Sequence, residues 1–171
     1  QRGGTLPFTM AHNVASPEDV DAALEDARAA GATVFAAQRR DWGGYSGYFT
    51  DPEALAESAR RRQAAAVYLA NPDNPAGTFH DAAVIRSMAA GLPRGCPLLL
   101  DEAYIEFAPE SGVIPSDEPI DNVVRLRTFS KAHGMAGARI GYCLCSVRIA
   151  AALNKIRQHF GVNRVAQAAA L

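Results

Sequence analysis

What the chain lacks narrows it first. No apolar run approaches the roughly 20 residues that a membrane-spanning helix needs. Neither sign of charge dominates: 17 Lys and Arg stand against 18 Asp and Glu, for a formal net charge of −1. Bulk electrostatics therefore gives no reason to expect nucleic acid or an anionic membrane surface as a partner. Cysteine is scarce, and the three present (Cys96, Cys143, Cys145) leave one unpaired under any intramolecular disulfide scheme. Small packed thiols in a reducing, cytoplasmic compartment are the expected state. Internal repeats and low-complexity tracts are absent. What remains is ordinary globular composition, 49% hydrophobic and 20% charged over 171 residues, enough for one domain and its core. Gln1 is not an initiator methionine, and Leu171 falls inside a helical run that starts near Arg164 and has no cap after it. The chain is therefore expected to be cut at both ends, with any targeting segment outside it.

The elements read as follows. Residues 5–14 suit a strand. Ser16-Pro17-Glu18-Asp19 opens a helix: Ser16 caps, Pro17 fits the first turn, and the acids favour the positive helix end. Val20, Ala23, Leu24, Ala27 and Ala30 recur at helical spacing, and Gly31 ends the run. Residues 33–37 and the stretch after Trp42 read as strands. Pro52 to Gln63 reads as a helix with a basic face, and residues 65–70 as a buried strand. A turn-rich Asn71-Pro72-Asp73-Asn74-Pro75-Ala76-Gly77 follows. Further helices are expected from Asp81 to Gly91 and over 148–160. Further strands are expected over 97–101, 122–127 and 139–145. Strand–helix–strand alternation at these lengths argues for βαβ units, hence an α/β fold with a mostly parallel sheet.

Chemistry concentrates around Lys131. A lysine that follows a strand and precedes a glycine-punctuated segment can form a Schiff base with an aldehyde. It must be neutral to attack, so neighbouring positive charge helps, and Arg127 and Arg139 are the candidates. Asp101 ends a short apolar strand, where open α/β sheets bind ligands. A carboxylate there can keep a pyridine nitrogen protonated, although by itself it serves equally as a cap or loop anchor. Tyr104, one helical turn later, can hydrogen-bond a phenolic oxygen, or be an ordinary half-buried tyrosine. Asn74, held between prolines, presents a fixed amide, or forms a plain Asx turn. Thr128, Ser130 and Arg139 offer two hydroxyls and a fork donor suited to phosphate, and Gly134 and Gly137 let the backbone come close.

Three segments carry a family resemblance: Asn-Pro-Asp-Asn-Pro-Ala-Gly-Thr (71–78), Asp-Glu-Ala-Tyr-Ile-Glu-Phe (101–107) and Arg-Thr-Phe-Ser-Lys-Ala-His-Gly-Met-Ala-Gly-Ala-Arg-Ile-Gly-Tyr (127–142). Over about residues 52–171 the chain resembles the fold-type I pyridoxal-phosphate aminotransferases, the histidinol-phosphate branch above all. The later His-Phe-Gly-Val-Asn-Arg-Val-Ala-Gln (159–167) resembles that branch too. The resemblance implies pyridoxal 5'-phosphate as cofactor and Lys131 as the catalytic Schiff-base lysine. It implies Asp101 on the pyridinium nitrogen, Tyr104 and Asn74 on the phenolic oxygen, and Ser130 and Arg139, with Thr128, on the phosphate. His133 stands where many relatives have an aromatic residue and is expected to pack behind the site. The implied reaction is transamination of an amino-acid or amino-phosphate substrate such as histidinol phosphate, paired with 2-oxoglutarate and glutamate, in a homodimer. Nothing in residues 1–51 matches the family's glycine-rich phosphate loop or its ring-stacking aromatic residue. Its substrate-carboxylate arginine belongs to a C-terminal small domain that the chain lacks. Little or no transamination is therefore expected of this chain alone.

Residues 3–53 resemble something else. Gly4 to Val14, the helix over 17–30 and Trp-Gly-Gly-Tyr-Ser-Gly-Tyr-Phe (42–49) are similar to the second half of a glyoxalase-like, vicinal-oxygen-chelate module. The expected organisation is a partial βαββ module over 1–53, then a partial aminotransferase large domain over 54–171. No metal site is expected. The relatives' metal-binding glutamate falls on Ser58, one residue from Glu57, and a one-residue slip reverses a strand face. Thr9 occupies the other ligand position, and His12 reads as packed or on the surface. The alternative functions are a glyoxalase-like binder of a small ligand or metal, and a chimeric fragment with no function.

Overall fold

The computed structural model describes residues 8–9, 16–29, 33–39, 45–50, 52–74, 77–158 and 161–171. Among the described residues, seven strands and five α-helices run in the order β1 (Phe8–Thr9), α1 (Pro17–Ala29), β2 (Thr33–Arg39), β3 (Tyr45–Thr50), α2 (Pro52–Arg61), β4 (Val67–Ala70), α3 (Ala82–Gly91), β5 (Leu98–Asp101), β6 (Val123–Thr128), β7 (Gly141–Leu144), α4 (Val147–Ile156) and α5 (Arg164–Ala169). The fold is α/β, as expected. Two sheets form. β1, β3 and β2 make an antiparallel sheet in that order, and β4-β5-β6-β7 make a second in which only β7 runs antiparallel.

Local rules account for most boundaries. Ser16 Oγ accepts from the Asp19 backbone N–H at 3.3 Å, which caps α1 where the sequence places a cap. Asp81 precedes α3 in extended conformation but makes no side-chain cap; its carboxylate accepts from Ser111 Oγ at 2.8 Å instead. Asn163 caps α5, accepting from Ala166 N–H at 2.8 Å. The last expected strand is shorter than 139–145. Arg139 sits in the left-handed region at φ 53°, after a 3-10 turn over Ala136–Ala138, so pairing starts only at Gly141. A Cβ on Gly141 would meet the Arg127 carbonyl oxygen at 2.6 Å, so glycine is what lets β7 close on β6 there. The closing helix stops at Ala169 and α4 at Ile156, both earlier than the sequence pattern suggests.

One hydrophobic cluster holds the molecule. Leu69 of β4, Leu98 and Leu100 of β5, Ile85 and Met88 of α3 and Leu55 of α2 are buried together, and Leu24 and Ala27 of α1 join them. Strand alternation sorts the residues: Val67, Leu69, Leu98 and Leu100 are buried on the helix-covered face, while Tyr68, Ala70, Leu99 and Asp101 lie on the other. Arg62, just beyond α2, reaches back to Asp26 of α1 at 3.1 Å. All three thiols are free. Cys96 is buried as expected, Cys143 is exposed and Cys145 is half-buried.

Candidate active site

In-register parallel pairing brings the carboxyl ends of β4, β5 and β6 to one edge: Ala70 lies opposite Asp101, and Asp101 opposite Leu126. Asn74 follows β4, Tyr104 follows β5, and Thr128, Ser130 and Lys131 follow one another at the end of β6. The parallel topology thus collects, at the edge where such sheets bind ligands, residues that sequence order separates by up to 57 positions (74 to 131).

Three of them meet directly. Asn74 Nδ2 donates to the Tyr104 hydroxyl at 2.7 Å. Lys131 Nζ lies 5.2 Å from the centre of the Tyr104 ring. The nearby Lys131 amine chiefly holds that phenol below the usual tyrosine value, with Asn74 adding to it and desolvation opposing. An amide donor on the phenolic oxygen and an amine beside the ring make a setting for partial negative charge. Asp101 is half-buried beside it. Its Oδ1 accepts from Ala103 N–H at 2.9 Å and its Oδ2 accepts from the Tyr68 hydroxyl at 2.5 Å. Tyr68 was not among the site residues expected from sequence. The signal that finds it is strand alternation combined with the β4–β5 register.

The expected phosphate ligands are less gathered. Thr128 Oγ1 accepts from Ser130 N–H at 3.1 Å, which fixes the turn out of β6. Arg139 is exposed and donates from Nη1 to Ala136 O at 2.8 Å, within its own turn. Asn163 Nδ2 donates to Ala138 O at 3.1 Å, tying that turn to α5. Arg127 does not serve Lys131 as a neighbouring charge. Alternation turns it to the opposite face from Thr128, where Nε donates to Glu102 Oε2 at 2.7 Å. His133 is exposed rather than packed behind the site, with its ring 5.1 Å from that of Phe129 and Nε2 3.7 Å from Glu106. Of the residues weighed as metal ligands, Glu57 is engaged by Arg60 and Arg61, Ser58 is buried in α2, and His12 lies outside the described residues.

The donor set fits pyridoxal phosphate. An amine stands next to a phenol–amide pair that can take a ring oxygen. A carboxylate at the strand end can take a ring nitrogen, and the Thr128 and Ser130 hydroxyls lie in the turn beyond. Comparison with known proteins points the same way. A profile described as "Aminotransferase class I and II" matches residues 22–171, starting inside the stretch that resembles a glyoxalase module. Histidinol-phosphate aminotransferase 1 of Psychrobacter arcticus is 51% identical over 104 residues, which is 61% of this chain and 27% of that protein. The histidinol-phosphate aminotransferase of Sinorhizobium meliloti, solved in complex with pyridoxal-5'-phosphate, superposes with a TM-score of 0.66 at 50% identity, over 71% of this chain and 34% of that one. A candidate histidinol-phosphate aminotransferase from Erwinia carotovora atroseptica superposes at 0.62 with 27% identity, over 96% of this chain and 53% of that one. The chain spans about a third of the length of the first two.

Proposed function

The chain belongs to the aminotransferase class I and II family, and from that premise we propose that it holds pyridoxal 5'-phosphate on Lys131. We propose that in the intact enzyme, a homodimer, this site serves the transamination of an amino-phosphate substrate such as histidinol phosphate against 2-oxoglutarate and glutamate. The observation that carries the proposal is the Asn74–Tyr104–Lys131 cluster next to Asp101. When bound, the cofactor supplies an electron sink for the pair left as a substrate Cα–H bond breaks. Lys131 would hold the cofactor's aldehyde group, and its free amine would carry the proton to and from a substrate Cα. Asp101 keeps the ring nitrogen protonated. Tyr104 and Asn74 hold the phenolic oxygen. Ser130 and Arg139, with Thr128, take the phosphate. Substrate choice is supported by the named relatives, several of which are histidinol-phosphate aminotransferases.

The test is one sample read two ways. Cofactor-loaded protein is mixed with histidinol phosphate, and conversion of cofactor to its amine form is followed by absorbance, while sedimentation reports mass. For this chain by itself the expected result is cofactor held on Lys131 with little or no conversion, and no loading in Lys131→Ala. Failure of the unmodified chain to take up the cofactor overturns the proposal, and full conversion by a monomer removes the need for a second subunit.

We also read residues 1–53 as a glyoxalase-like half-module ahead of an aminotransferase segment over 54–171. What favours this is the separate antiparallel sheet β1-β3-β2, with elements in βαββ order. Stoichiometric zinc, nickel or iron in purified protein would make that module the functional one; metal-free protein that still takes the cofactor leaves the aminotransferase reading in place.

A further inference from the structure

We propose that Tyr68 is a positioning residue of this site: its hydroxyl holds the Asp101 carboxylate oriented for the cofactor's ring nitrogen. The inference rests on the cofactor reading above and adds a residue to it. Tyr68 lies on β4, two residues before the position that pairs with Asp101. Alternation puts both on one sheet face. Ala70, directly opposite Asp101, is too small to fill the space between, so the Tyr68 side chain spans it. The resulting contact, 2.5 Å from hydroxyl to Oδ2, is in the range of charge-assisted O–H···O⁻ bonds.

Two features make this more than a filler contact. The first is that both carboxylate oxygens are pinned, Oδ1 by the Ala103 N–H and Oδ2 by Tyr68. Such a carboxylate cannot turn about its own axis without losing both bonds. Each oxygen still has a second acceptor position, so a ring N–H can be received as well. The second is that Tyr68 stays a donor. Burial, and then its bond to Asp101, push its phenol well above the usual tyrosine range, so it keeps its proton at any working pH. A fixed carboxylate needs no reorganisation when a charged nitrogen arrives, which is the general benefit of preorganised polar groups.

The test compares pyridoxal phosphate with its 1-deaza analogue, in which C–H replaces the ring nitrogen. On the unmodified chain, borohydride should fix the parent cofactor to Lys131, and the analogue should bind more weakly. Failure at this stage removes the cofactor reading itself, whatever Tyr68 does. In Tyr68→Phe, which keeps the ring, affinity for the parent cofactor should fall about tenfold while that for the analogue is unchanged. In an Asp101→Asn background the same substitution should cost nothing further, because Tyr68 acts only through Asp101. Equal loss for both cofactors marks a purely structural tyrosine and overturns the inference, as does no loss for either. A reading that needs no variant is the Tyr68 hydroxyl proton in the unmodified chain. It should be a slowly exchanging downfield resonance that moves on binding the parent cofactor and not the analogue; a resonance indifferent to both overturns the inference too.

Discussion

Tyr104 is the residue at which the site's electrostatics can be measured. Its oxygen accepts from Asn74, the Lys131 amine lies 5.2 Å from its ring centre, and Lys131 is the larger influence lowering its titration. Removing either group destabilises the phenolate, so the titration must rise. In spectrophotometric titration, read against Tyr104→Phe, the Tyr104 step should fall below 10.0 in the unmodified chain. It should move up in Asn74→Ala and further up in Lys131→Ala; a larger shift for Asn74→Ala would reverse the assigned order of the two groups. Lys131, Asp101, Tyr104 and Asn74 were legible in the sequence because each stands in a local setting that fixes it: the end of a strand, a turn, a proline-bounded loop. Tyr68 was not legible. Its role depends on the register of two strands 33 residues apart, which residue order does not contain. Arg127 was misread for a simpler reason. It and Thr128 are neighbours in one strand and cannot both face the site.

At the scale of elements, β6 works on two faces. Toward the site it delivers Thr128. On the other face Arg125 and Arg127 share Glu102, which begins the loop after β5, with Nε–Oε distances of 3.0 and 2.7 Å. Arg125 also donates to the carbonyls of Pro115 and Ile114, so the long loop before β6 is fastened to the strand. Arg125 and Glu102 are each about 1% exposed, which makes this a buried ion cluster and not a surface pair. Taking away the shared carboxylate leaves buried guanidinium groups uncompensated. Glu102→Ala should therefore lower unfolding free energy by about 3–5 kcal/mol in urea denaturation. A change under about 1 kcal/mol, the size expected of an exposed pair, would mean the cluster is effectively solvated. The sequence displayed Glu102 only as the second letter of a motif, and its partners lie 23 and 25 residues away. Helices were easier to read because their signals are local. The capping serine of α1 behaves as its sequence suggests, whereas Asp81 spends its carboxylate on Ser111. For α3 the expectation rested on Asp81 and Gly91 as its ends, and the helix forms over Ala82–Gly91.

Across the whole molecule, α1 and the elements that follow it share one core. Leu24 and Ala27 pack in the cluster that contains Leu55, Leu69 and Leu98, and the Arg62–Asp26 pair bridges the same interface. Sequence patterning identified the parallel sheet and the edge where the site forms. It could not reveal the shared core, because helical spacing tells which face of α1 is apolar and not what covers it. The central claim is that this arrangement singles out one amine. The chain has only two lysines, Lys131 at the site and Lys155 on the exposed side of α4, so the protein carries its own control. The most direct measurement is to incubate the chain with pyridoxal phosphate at substoichiometric concentration, reduce with borohydride and map the adduct by peptide mass. The account requires the label on Lys131, with Lys155 essentially unlabelled. Equal labelling of the two lysines, or none on Lys131, would contradict it.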